Sequence, residues 1–170
     1  MTIEVAPLRL DEAEALVELA GRVWRAHYPG IISPEQIEYM LGQRYKPGLV
    51  RQLLARGDLW LAARAAGTLV GFAHGHTLEA GDYKLDKLYV DTGWQRRGIG
   101  GTLIAEVARR AREHGFSRLV LRVNRQNRQA IEAYLKHGFT VATLIVEDIG
   151  GGFVMDDYVL CMDLPAAMPG

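Results

Sequence analysis

The segment from Tyr83 to Val123 restricts the fold more than any other part of the chain, because its hydrophobic period changes twice within it. Tyr83 to Val90 alternates as a strand, and Arg118 to Val123 alternates again. Between them, Ile99, Leu103, Val107 and Ala111 share one helical face with Ile104 and Ala108 beside it, which predicts a helix over Gly98 to His114. A second round follows, with a helix predicted over Asn127 to His137 and a strand over Phe139 to Val146. A strand, a helix and a strand in succession make a crossover, which sets two strands parallel in one sheet.

The rest of the chain reads as hairpins and flanking helices. Ile3 to Leu8 is a predicted strand, followed by a helix from Asp11 to about Arg25 on Leu16, Leu19, Ala20 and Val23, with Asp11 as its cap. Ser33-Pro34-Glu35-Gln36 offers a cap, a proline at the first helical position and a capping-box glutamine, opening a short helix to about Gly42. A further helical piece, about Leu49 to Arg56, ends at Gly57. Leu59 to Arg64 and Leu69 to Leu78 form a predicted hairpin around Ala65-Ala66-Gly67-Thr68, and Phe153 to Leu164 is the last strand. Hairpins around a crossover predict an α/β fold with a mixed, mostly antiparallel sheet, and 170 residues suit one domain, 1–170.

Charge excludes some partners. Twenty basic residues balance twenty acidic ones, leaving no global field for nucleic acid or an anionic membrane, so any preference must be local. No apolar run approaches the roughly 20 residues of a membrane span. The start, Met1-Thr-Ile-Glu-Val, lacks the basic-then-apolar pattern of a signal peptide, which makes a cytoplasmic location the expectation. The lone Cys161 excludes a disulfide framework within the chain and reads as a small packed side chain.

The chemistry concentrates at Gln95-Arg96-Arg97-Gly98-Ile99-Gly100, continued by Gly101 and Thr102. Gly98 and Gly100 let backbone N–H groups approach an anion at a helix amino terminus; the same glycines would also suit a plain tight turn. No Gly-Lys-Ser/Thr follows, which excludes the nucleoside-triphosphate loop, and Leu103 stands where a dinucleotide fingerprint needs its third glycine. What remains is Gln-x-x-Gly-x-Gly after Leu88-Tyr89-Val90. A second cluster lies downstream: Asn127-Arg-Gln-Ala130-Ile-Glu-Ala-Tyr134-Leu-Lys-His-Gly138-Phe139.

In these two clusters the chain resembles the GNAT superfamily of N-acetyltransferases, from about Tyr83 to Phe139, although Thr92 stands where many relatives have proline. The run from His27-Tyr28-Pro29 to Met40, with Met155-Asp156-Asp157-Tyr158, is similar to a branch that includes polyamine acetyltransferases. The resemblance implies a seven-stranded sheet flanked by about four helices, with a splayed parallel pair of strands at a cofactor-binding core of about 83–139. It implies acetyl-CoA as acetyl donor, its pyrophosphate on Gln95, Arg96, Arg97, Gly98, Ile99, Gly100, Gly101 and Thr102. The pantetheine arm would pair with the backbone of Leu88, Tyr89 and Val90 and contact Asn127, and a backbone N–H near Leu88 or Tyr89 would serve as oxyanion donor. Tyr134 would be the proton donor to the departing thiolate, and the last strands a homodimer contact. The implied reaction is acetyl transfer to a primary amine of a small molecule or peptide by direct attack in a ternary complex. The absence of a cysteine near the motifs argues against a covalent acetyl-enzyme. The competing readings are a non-catalytic acyl-CoA sensor on the same fold, and a hydrolase or an acyltransferase using another acyl-CoA.

An alkyl ammonium of pKa about 10.4 is neutral in only about one of several thousand molecules at pH 7, a cost of about 4 to 5 kcal/mol, so a base or water wire must handle its proton. Lys84 stands where some relatives carry a glutamate base, and Asp86 is the substitute candidate, or else a solvated strand carboxylate. Strand alternation would place Lys84, Asp86, Leu88 and Val90 on one face and Leu85, Lys87 and Tyr89 on the other. A phenol near pKa 10 is a weaker acid than a thiol near 8.5, which makes full proton transfer from Tyr134 uphill by about 2 kcal/mol and favours a hydrogen bond to sulfur. Trp24, His27 and Tyr28 are candidates to shape the acceptor site, with His74, His76 and Asp156. His74 and His76 share a face, but no third ligand at recognisable spacing supports a metal site. Glu79, Asp82, Glu147, Asp148, Asp156 and Asp157 would favour a cationic acceptor if several converged.

Overall fold

The expected crossover is present. The computed structural model describes residues 2–166; Met1 and residues 167–170 of the expected domain lie outside them. The strands are β1 (Ile3–Pro7), β2 (Leu59–Ala65), β3 (Thr68–Thr77), β4 (Asp82–Val90), β5 (Arg118–Asn124), β6 (Thr140–Gly150) and β7 (Phe153–Asp163). They form one sheet in the order β1-β2-β3-β4-β5-β7-β6, antiparallel throughout except where β4 lies parallel to β5. The α-helices among the described residues are the five segments read from the sequence: α1 (Ala13–His27), α2 (Pro34–Arg44), α3 (Pro47–Arg56), α4 (Ile99–Glu113) and α5 (Arg128–Lys136). No helix among the described residues is long and apolar enough to cross a membrane.

Each face of the sheet buries its own core. Leu103, Val107 and Ala111 of α4 pack with Leu61, Leu119 and Leu121 on one face, and Ala130, Ile131 and Tyr134 of α5 pack against the same cluster. On the other face Leu16, Leu19, Val23 and Trp24 of α1, with Ile37 and Met40 of α2 and Val50 of α3, cover Trp60 and Phe72. The helical periods in the sequence are the lining of these two cores.

Three local expectations are corrected. Asp11 does not cap the first helix: Leu10–Glu12 is a single 3-10 turn, and Glu12 folds back to accept from the Arg9 N–H at 2.9 Å. Ser33 does cap α2, accepting from Gln36 N at 3.1 Å, but the Gln36 side chain leaves the capping box and donates to the Val154 carbonyl at 3.0 Å. A tertiary partner outcompetes the local one. The third correction concerns β4, where the pairing with β3 steps from Gly75 opposite Leu85 to His74 opposite Lys87, leaving Asp86 as an extra residue. Such a bulge kinks its strand and resets the alternation. Leu85, Leu88 and Val90 therefore face the α4 core, whereas Tyr89 faces the α1–α3 core and Lys87 lies over the rings of Tyr45 and Trp60 there.

The bulge coincides with the splay. Only Asp82 with Arg118, Tyr83 with Leu119 and Lys84 with Val120 join the parallel strands, and beyond Lys84 the two separate.

Away from that opening, the first turn is tied to the sheet by a buried ion pair. Arg64 donates to Glu12 at 2.8 Å through Nε and at 2.5 Å through Nη2, and also reaches Glu4 and the Pro7 carbonyl. The hydrogen bonds from Arg64 pull the Glu12 carboxyl below its usual value, against burial, with the Arg9 N–H adding to the pull. A lowered carboxylate pKa contributes stability that is present above the unfolded value near 4.5 and lost as pH falls through the folded value. Glu12→Gln is expected to lower stability at pH 7 by about 2 to 3 kcal/mol, with the gap from wild type closing below pH 4.5 in urea melts run across pH.

Candidate active site

Where β4 and β5 part, a cavity of about 420 Å³ opens, walled by the end of α1, one face of α2, the start of α4, α5 and part of β7. Leu88, Tyr89 and Val90 line it from β4, and past Lys84 the edge of β4 toward β5 has no ladder partner. An unpartnered strand edge offers alternating N–H and C=O groups to an extended ligand.

At one end of the cavity stands the glycine loop. Gly98 has φ +79° and caps α4, and Arg96 before it has φ +64°, so the chain turns sharply into the helix. The first bond within this stretch runs from Thr102 N to Gly98 O at 3.1 Å, which leaves the N–H groups of Ile99, Gly100 and Gly101 ahead of it as donors. No acidic residue sits in this first turn, so nothing competes with an anion there. Gln95, Arg96, Gly98, Ile99, Gly100 and Gly101 all line the cavity. Arg97 and Thr102 do not: the Arg97 guanidinium lies 4.7 Å from the Trp94 ring centroid, and Thr102 Oγ1 donates back to Gly98 O.

Asn127 caps α5, its Oδ1 accepting from Ala130 N at 3.4 Å, and the same atom lies 2.9 Å from His27 Nε2. This bond joins the end of α1 to the start of α5 across the cavity. Tyr28 and Tyr89 join hydroxyls at 2.8 Å, and the Trp24 ring packs tilted against Tyr28, centroids 4.4 Å apart. Tyr134 lines the wall from α5, its ring edge-on to Phe139. Burial, with a smaller contribution from Tyr28, pushes its phenol well above the usual range, so it stays protonated and can donate a hydrogen bond.

The two carboxylates on the wall differ in kind. Asp86 is opposed by burial, yet the hydrogen bond from His74 and the ammoniums of Lys87 at 2.5 Å and Lys84 at 3.2 Å hold it far below the usual carboxylate range. A carboxylate so strongly paired is a poor proton acceptor. Asp157, on β7, is 1% exposed, and burial pushes it up against the opposing charges of Arg122 and Arg44. Its Oδ2 lies 3.3 Å from Arg122 Nε but has no hydrogen-bond partner of good geometry.

Three expected acceptor residues lie off the wall. His74 is buried beneath it, stacked on Trp60 with ring centroids 4.1 Å apart, and its nitrogens face Asp58 Oδ2 at 2.6 Å and Asp86 Oδ2 at 3.3 Å. His76 bonds the carbonyl of Thr77, and Asp156 pairs with Arg125 at 2.8 Å. The six acids do not converge: Asp82 pairs with Arg118, Glu147 with Arg122, Asp148 accepts from Gly150 N, and only Asp157 reaches the cavity. Sequence reasoning passed over Arg44, Arg122 and, as a site residue, Asp157. The signal for Arg44 was its i+8 spacing from Gln36 through Met40, which puts all three on one face of α2.

A free strand edge, a helix amino terminus without an acidic neighbour and a protonated phenol between them offer the groups that an extended, phosphorylated ligand would pair with. The family model of the acetyltransferase (GNAT) family matches residues 15–139, and the chain belongs to that family. It is 32% identical over 162 residues to spermidine N(1)-acetyltransferase of Thermoplasma acidophilum, covering 92% of this chain and 97% of the relative. It is 30% identical over 151 residues to the peptidyl-lysine N-acetyltransferase YjaB of Escherichia coli, covering 88% and 91%. The crystal structure of PaiA N-acetyltransferase from Thermoplasma acidophilum in complex with coenzyme A superposes with a TM-score of 0.83 at 30% identity, covering 96% of this chain and 99% of that one. The chain is an acetyl-CoA-dependent N-acetyltransferase.

Gly100 tests the anion site independently of the fold. A Cβ built on it meets nothing within 4 Å, so Gly100→Ala is expected to leave thermal stability unchanged or raise it by up to about 1 kcal/mol. The same substitution is expected to weaken acetyl-CoA binding at least tenfold in a calorimetric titration.

Proposed function

We propose that this chain transfers acetyl from acetyl-CoA to a primary amine of a small molecule or peptide by direct attack in a ternary complex. What carries the reading is the placement of the β4 edge, Tyr134 and Asp157 on one cavity. Cys161, the single cysteine, is not on its wall, which supports direct transfer over an acetyl-enzyme.

Acetyl-CoA brings the activated carbonyl and a thiolate leaving group. Gly98 to Gly101 and the start of α4 hold the pyrophosphate, and the backbone of Leu88 to Val90 holds the arm straight along β4. An N–H near Leu88 or Tyr89 donates to the carbonyl oxygen as charge develops on it. Tyr134 donates a hydrogen bond to the departing sulfur; its raised pKa makes full proton transfer more uphill than for an ordinary phenol, so stabilisation of the thiolate is its contribution. Asp157 takes the acceptor's proton, because burial raises its basicity, whereas Asp86 is committed to Lys84, Lys87 and His74. Trp24, His27 and Tyr28 line the acceptor side.

Purified protein mixed with acetyl-CoA and a panel of primary amines is expected to release thiol with at least one of them; binding of acetyl-CoA without any turnover would remove the proposal. Tyr134→Phe is expected to lower kcat roughly tenfold to a hundredfold while the acetyl-CoA dissociation constant stays within about twofold. Asp157→Asn is expected to lower kcat/KM about a hundredfold or more. It should also abolish the limb of the wild-type profile that rises with pH as the carboxyl ionises, a limb lying above the ordinary carboxylate value of 3.8 because burial raises this group.

A further inference from the structure

The acceptor end of the cavity holds a cation that no carboxylate pairs with among the described residues. Gln36, Met40 and Arg44 present one face of α2 to it at i, i+4 and i+8. Gln36 donates its amide to Val154, and Met40 is apolar. Arg44 has five N–H donors, yet the partner found for it is the thioether of Met155, 3.1 Å from Nη2. A thioether is a weak acceptor and no counter-ion. Among the described residues no carboxylate forms an ion pair with Arg44, whereas the other charges around it are matched. Asp86 faces Lys84 and Lys87, and Arg122 lies between Glu147 at 2.6 Å and Asp157 at 3.3 Å. Four cations therefore stand against three carboxylates, and Arg44 is the surplus one.

A surplus guanidinium beside a cavity that admits an amine has two consequences. It opposes the ammonium form of the acceptor, which cannot attack, and it repels a second ammonium further along the same molecule. Its planar fork suits a carboxylate, which it can hold through two parallel N–H donors. We infer that the acceptor is an amine that also carries a carboxylate, and that Arg44 is the specificity residue that binds it. This assignment rests on the acetyl-transfer reading for the amine half of the molecule, but the carboxylate half can be tested without turnover.

The full chain with acetyl-CoA would be given β-alanine, 4-aminobutanoate and 6-aminohexanoate, each beside its carboxamide, with spermidine as the polycation. Released thiol gives kcat/KM. In parallel, butanoate, which has no amine, would be titrated into the coenzyme A-bound protein and followed by chemical-shift changes. The expected result is a preference of about tenfold to a hundredfold for the carboxylate over its carboxamide at the best chain length, lost in Arg44→Gln and partly kept in Arg44→Lys. Butanoate is expected to bind the wild type and to lose at least tenfold in affinity in Arg44→Gln, with coenzyme A binding serving as the check that each variant is folded. Arg44-dependent binding of butanoate without turnover of any amine would support the carboxylate site while overturning the acetyl-transfer reading. A wild-type preference for spermidine or the carboxamides, an unchanged ratio in Arg44→Gln, or no binding of butanoate would each overturn the inference.

Discussion

The site depends on one inserted residue. Asp86 has no partner on β3, and the kink it introduces begins where the pairing of β4 with β5 ends at Lys84. Had β4 continued regularly, its far edge would have stayed hydrogen-bonded to β5, and no backbone would have been free for a ligand. The insertion also turns Asp86 inward, where an unpaired carboxylate would cost several kcal/mol. Lys87, Lys84 and His74 offset that cost. Asp58 holds the other nitrogen of His74, and Trp60 stacks on its ring. The bulge is thus fastened to the α1–α3 core, and His74, which looked like an acceptor contact in the sequence, is part of the fastening.

That fastening changes what β4 can offer chemically. A carboxylate bonded by two ammoniums and an imidazole is fixed in its ionised form, good for holding shape and poor at accepting a proton. Asp157 stands in the opposite condition, buried with an oxygen lacking a well-formed hydrogen bond. Two carboxylates on one cavity wall are shifted in opposite directions by their neighbours alone, a separation that lets one fold hold groups of different proton affinity.

How much of this the sequence revealed follows from the kind of information each feature needs. The crossover was legible because α4 writes its period in Ile99, Leu103 and Val107, and the sharp turn into α4 because Gly98, at φ +79°, is the residue type that such a turn favours. The Tyr134 and Asn127 positions came through the family resemblance, and both line the cavity. The bulge was not legible. Strict alternation through Lys84, Asp86 and Leu88 is a rule about regular strands, and nothing in that stretch shows that Asp86 is skipped in the pairing. Asp156 and Asp157 are adjacent acids whose fates are set by register against β5 and β6, with Asn124 and Ile145 opposite Asp157. Their order in the sequence carries no trace of that choice. Gln36 failed as a capping-box residue for a similar reason, since the Val154 carbonyl that draws it away lies more than a hundred residues along the chain.

The two ends of the cavity are therefore specified in different ways. In the proposed reading the donor end uses backbone: the edge of β4 and the first N–H groups of α4, which many sequences can supply provided a few glycines and the bulge are kept. The end proposed for the acceptor is lined by side chains from separate elements, Arg44 from α2, Arg122 from β5 and Asp157 from β7. Each comes from a different element, so relatives can keep the donor end and differ in the amine they use. A single substitution at position 44 alters the charge of the acceptor end by one unit and leaves the donor end untouched. If Arg44 holds a carboxylate of the acceptor, specificity within this fold is to be read from the charge balance at that end of the cavity, where Arg44 lacks a counter-ion while Lys84, Lys87 and Arg122 each face a carboxylate.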